Sequence, residues 1–125
     1  SKGSGVPLTW NTDGVNTQES EIYIWFSVDV HGTTTRWIDC VVPDSGSFTL
    51  PATLVSELIE LGLSGFPRMR MTRRTADSTQ LSTGCVDFEI GSEVVLDLVV
   101  EGLISCSKDA DCPTGQTCTT EQECE

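Results

Sequence analysis

Four cysteines, Cys106, Cys112, Cys118 and Cys124, recur every six residues through a closing segment that has no aliphatic side chain beyond Ala110 after Ile104. A stretch this polar cannot bury a hydrophobic core, so its order must come from covalent cross-links. Zinc would want tight C-x-x-C pairs and more imidazole than the single His31 supplies. The spacing therefore predicts disulfides, and with them an oxidising compartment: secreted, periplasmic or cell surface. Of the three possible pairings, the crossed one, Cys106 with Cys118 and Cys112 with Cys124, is expected as a compact knot made from little apolar material, with a nested pairing about the Pro113 and Gly115 turn as its rival. The two remaining cysteines, Cys40 and Cys85, are expected to pair across the body of the chain, closing a loop of about 45 residues.

Upstream of the tail, hydrophobicity alternates. Ile22, Ile24, Phe26, Val28 and Val30 share one phase, with Tyr23, Trp25, Ser27 and Asp29 in the other, which reads as a strand with one buried face. His31-Gly32-Thr33 reads as a turn into a second strand, Arg36 to Val42, carrying Ile38, Cys40 and Val42 on one side. After the turn residues Pro43 to Gly46 comes a short strand, Ser47 to Leu50. A helix follows over about 52–61, with Leu54, Leu58 and Leu61 as its apolar stripe, Val55 widening it and Gly62 as its stop. Met69 and Met71 alternate with Arg68 and Arg70; a polar loop is expected at 76–78. Two further half-buried strands carry Val86, Phe88 and Ile90, then Val94, Leu96, Leu98 and Val100.

Short alternating strands with turn signals and one crossover helix predict an all-β, antiparallel, immunoglobulin-like β-sandwich of about seven strands. Residues 1–5 read as a flexible lead-in, 6–104 as the sandwich and 105–125 as a cysteine-rich tail module. The start lacks a basic-then-apolar leader, as expected of a mature fragment, and no apolar run reaches the roughly 18 residues that a membrane span needs.

The stretch IDCVVPDSGSFTLPATLVSELIELGLSGFP, then MTRRT, then STGCVDFEIGSEVVLDLVVEGLISC resembles a domain of exported proteins of myxobacteria and their relatives, and DADCPTGQTC resembles the D-C-P-x-G-Q-x-C cysteine modules of that group. The resemblance spans residues 36–124 and implies export and an immunoglobulin-like sandwich, with no ligand attached to it.

Nineteen acidic residues against seven basic ones give a formal charge of −12, which repels nucleic acid and anionic membrane alike. No catalytic residue, cofactor or metal site is expected. His31 has no nucleophile tied to it by motif. Asp109, Asp111 and the group Asn11, Asp13 and Asn16 fit plain turns better than a calcium loop. The candidate ligand-binding residues are the outward aromatics Tyr23, Trp25 and Trp37, a stacking platform for sugar rings, and Arg68 and Arg70, part of a basic cluster with Arg73 and Arg74. Pairing of those arginines with Asp87 and Glu89 is the competing reading. The expected function is an exported, non-catalytic interaction module for adhesion or assembly at a bacterial cell surface, its partner a protein or polysaccharide. The alternative is a carbohydrate-binding module. Oligomeric state is open from sequence.

Overall fold

A computed structural model describes residues 4–14, 18–28, 36–62 and 65–125. His31, Asn16 and the turn expected at 31–33 lie outside the described residues. Six strands and one helix follow in order: β1 (Val6–Thr9), β2 (Ser20–Val28), β3 (Arg36–Pro43), β4 (Ser47–Leu50), α1 (Ala52–Glu60), β5 (Arg68–Leu81) and β6 (Gly84–Asp97). They build an all-β antiparallel sandwich of two sheets. β1 pairs with β4, and a four-stranded sheet has the order β3-β2-β5-β6.

The alternation in β2 does what its phase dictates. Ile22, Ile24, Phe26 and Val28 are buried, and they meet Leu8, Leu50, Val55 and Leu58 from the small sheet and the helix in one core. Directly opposite residues on paired strands share a face, so the register places Ile38, Cys40 and Val42 of β3 beside Phe26, Ile24 and Ile22, also inward. On α1 the buried residues are Val55 and Leu58, with Ile59 packed behind them, whereas Leu54 and Leu61 are exposed. The stripe is thus rotated from the expected one, because β3 and the small sheet meet the helix on the Val55 side. Pro51 is its N-cap rather than a first-turn residue, and Gly62, at φ 105°, ends it in a conformation that favours glycine.

The second half departs more from expectation. Six strands replace about seven among the described residues, because the two strands expected over 86–100 merge into one continuous strand, β6, which ends at Asp97, short of Leu98 and Val100. The polar residues 76–78 belong to β5, and the chain reverses at a two-residue turn, Ser82 and Thr83, between the paired Leu81 and Gly84. β2 accompanies β5 only from Ser27↔Arg68 to Ser20↔Thr75. From Ala76↔Glu89 onward β5 and β6 continue as a two-stranded arm of six further pairs, about 20 Å long at the usual strand rise.

The expected Cys40–Cys85 bridge does not form, and both residues are free thiols. The register explains why. Cys40 lies level with Ile24, Met71 and, across two intervening strands, Val94. Cys85 lies nine residues further along β6 and in the opposite phase. At strand spacings that is roughly 30 Å along the sheet and about 14 Å across it, against the roughly 7 Å a disulfide tolerates. Burial, with the Asp39 carboxylate adding to it, pushes the Cys40 thiol upward and keeps it protonated.

The tail has the crossed pairing: Cys106–Cys118 and Cys112–Cys124, with S–S distances of 2.01 Å. Isolated bridges Ser105↔Glu123 and Cys118↔Cys124 fold the segment back on itself, and the Ser105 hydroxyl donates to the Gly65 carbonyl. Its acids satisfy backbone donors. Asp111 accepts from the N–H groups of Ser107 and Lys108 at 3.0 and 3.2 Å, and Asp109 accepts from that of Cys118 at 2.9 Å. The sulfurs of Cys106, Cys112 and Cys118 lie within 4.8 Å of one another, but each is consumed in an S–S bond and offers no thiolate to a metal.

Candidate functional site

Strand phase divides the four-stranded sheet into two faces of different chemistry. On the outer face stand Glu21, Tyr23, Trp25 and Ser27 of β2, Arg68, Arg70, Thr72 and Arg74 of β5, and Glu93 and Asp97 of β6. The candidate residues Tyr23, Trp25, Arg68 and Arg70 are therefore brought together, with Trp37 beside Ser27 on the far strand.

They are brought together to bind one another. The Arg70 guanidinium lies 5.1 Å from the centre of the Trp25 ring and its Nε is 3.6 Å from Glu93, while Arg74 covers Tyr23 at 5.6 Å and meets Glu21 at 2.6 Å. Arg68 pairs with Asp97 at 3.3 Å. Cross-strand pairing of the arginines thus occurs, but with Asp97 and Glu93 in place of the expected Asp87 and Glu89. The tight turn at Ser82 and Thr83 sets the register and puts Asp87 and Glu89 opposite Ser78 and Ala76 instead. Two of the three rings carry a cation over their faces, so a sugar would have to displace it to stack there. Trp37 alone is open, at 53% exposure, its Nε1 donating to Asp39.

A thermal comparison separates these roles. Trp37→Ala is expected to change stability by no more than about 0.5 kcal/mol, and Trp25→Ala to cost roughly 1–2 kcal/mol through lost packing and the lost cation contact. Equal losses measured by chemical denaturation would show the rings to be equally embedded.

Arg73 does not belong to the basic stripe. Its position puts it on the inner face beside Ile22, where it reaches Asp44. The Asp44 carboxylate is wholly buried and accepts from Arg73 Nε at 2.7 Å, Arg73 Nη2 at 3.1 Å, Trp10 Nε1 at 2.6 Å and Ser20 Oγ at 2.7 Å. Burial pushes this carboxyl upward, but the hydrogen bonds from Arg73, Ser20 and Trp10 and the guanidinium charge outweigh it, and the group is held below the usual carboxylate range. With both Asp44 oxygens each accepting two hydrogen bonds this is a structural clasp, tying β5 to the β3–β4 turn and to the end of β1. Two sequence signals pointed to it without being used: the strict alternation of β5 forces one of the adjacent Arg73 and Arg74 inward, and an inward arginine needs a buried acid.

The feature that sequence reasoning missed is the state of β6. Its inner phase carries Val86, Phe88, Ile90, Val94 and Leu96, expected to be half-buried, yet the whole strand is exposed. Ile90 is 77% and Phe88 55% exposed. The small sheet and α1 cover β2, β3 and the start of β5 but do not reach β6, leaving a cleft of about 250 Å³ bounded by Trp10, Met71, Arg73, Ser92 and Val94. Among the described residues β6 pairs with β5 alone, so its other side is a free edge fourteen residues long. Such an edge, unprotected by proline and flanked by apolar side chains, is a template for strand pairing. Two-stranded arms are also marginal by themselves in water, so the segment beyond Thr75 gains most from a partner.

No helix among the described residues is long and apolar enough to cross a membrane. The chain matches no protein-family model, no curated protein and no solved structure.

Proposed function

We propose that this chain is a non-catalytic interaction module working in adhesion or assembly at a bacterial cell surface, and that it engages its partner along β6. The observation that carries this reading is a fully exposed fourteen-residue edge strand whose inner phase is lined by large apolar side chains. The two tail disulfides support an oxidising location. The resemblance to exported myxobacterial domains directs the assay to that envelope.

Binding of the labelled chain to isolated myxobacterial envelope is the readout. The double substitution Phe88→Lys with Ile90→Lys is expected to abolish binding while shifting stability by no more than about 0.5 kcal/mol, because both side chains are solvated in the free chain. Undiminished binding would place the interaction elsewhere. The polysaccharide alternative has one open ring, Trp37, and it predicts that Trp37→Ala, not the β6 pair, removes binding.

A further inference from the structure

On the reading of β6 as the docking edge, we propose that its occupant is an extended peptide segment of alternating basic and apolar residues, added antiparallel as a fifth strand. The two phases of β6 dictate this pattern. A strand laid beside it places its side chains in the same two planes, about 4.5–5.5 Å from their neighbours. The inner plane offers Val86, Phe88, Ile90, Val94 and Leu96, interrupted by Ser92, which call for apolar partners; the outer plane offers Asp87, Glu89, Glu93 and Asp97, with Gly91 and the exposed Val95 between them, and those four carboxylates call for cations.

The opposite flank of β6 already holds such a strand. β5 sets Met69 and Met71 beside Leu96 and Val94, and its Arg68 and Arg70 form ion pairs with Asp97 and Glu93. Its cations end at Arg74, and Ala76 and Ser78 stand opposite Glu89 and Asp87, so no cation of β5 faces those two carboxylates. Asp87 accepts from the Cys85 thiol at 3.6 Å, and neither carboxylate is paired with a cation of β5. A second copy is disfavoured, because β6 against β6 sets four outward acids in one plane with four more, in chains of net charge −12.

The probe is a labelled peptide that repeats the chain's own Arg68–Met71 alternation, RMRMRMRM, titrated against the full chain by fluorescence anisotropy and by amide hydrogen exchange. Binding is expected to slow exchange at alternate amides of β6. Replacing the peptide's arginines by glutamate is expected to weaken binding roughly tenfold or more, and Glu89→Lys in the protein by several-fold, each effect shrinking in high salt. Equal binding of a peptide with threonine at the arginine positions would overturn the basic preference while leaving the edge as a docking strand. Protection of β6 that grows with protein concentration and without peptide would make the occupant a second copy and overturn the proposal. No protection of β6 by any alternating peptide would remove both this proposal and the docking reading beneath it.

Discussion

Asp44→Ala is expected to destabilise the sandwich by about 3–5 kcal/mol, the largest loss from any single replacement outside the apolar core. The mutation leaves the Arg73 guanidinium, the Trp10 indole N–H and the Ser20 hydroxyl without their common acceptor, and part of that guanidinium is withdrawn from water. Chemical denaturation of the two proteins measures it. The same clasp sets an acid limit. Because the folded fold-state carboxyl titrates below its unfolded value near 3.9, its contribution is complete above that pH and is lost as pH falls through the folded pKa. The stability gap between the native chain and Asp44→Asn should therefore be constant near neutrality and narrow below about pH 4. A gap independent of pH down to complete protonation would mean that the carboxylate charge contributes nothing.

Reduction of the tail is the second large effect. Each disulfide joins cysteines twelve residues apart, and closing a loop of that size removes about 3 kcal/mol of unfolded-chain entropy. Little else orders the segment, since in residues 105–125 only the disulfide cysteines Cys106 and Cys124 are buried. Reductant is expected to collapse the dispersed amide signals of residues 105–125 while those of β2 stay in place. Dispersed tail signals in the fully reduced chain would show that its hydrogen bonds suffice. Signals of β2 lost together with the tail would show that the sandwich depends on it.

What the sequence made legible was local. The two-residue period of Ile22 to Val28 marks a buried face wherever the strand lies, so β2 and the inward side of β3 could be read directly. Crossed tail disulfides were accessible for a similar reason, since few compact pairings exist for four cysteines so closely spaced. The Cys40–Cys85 pairing failed because it depended on which strands are neighbours, and two strands lie between them. The β6 residues failed differently. Their alternation correctly marks one apolar face, but a period cannot say whether a second layer extends far enough to cover it. That depends on the lengths of β1 and β4, four residues each, against fourteen in β5 and β6. The aromatic residues were grouped correctly on one face, and the arginines that cover Tyr23 and Trp25 came from the β2–β5 register, Trp25↔Arg70 and Tyr23↔Thr72, between strands far apart in the chain that no local signal aligns.

The claim on which the functional account stands is that β6 presents an open edge in the free chain. Residue-resolved amide hydrogen exchange of the dilute monomer tests it most directly. Along Gly84–Asp97 the amides directed at β5 should alternate with outward amides that exchange as fast as exposed loop amides, against uniformly slow exchange in β2. Slow exchange at every β6 amide in that monomer would mean that the edge is already paired, and would contradict the account.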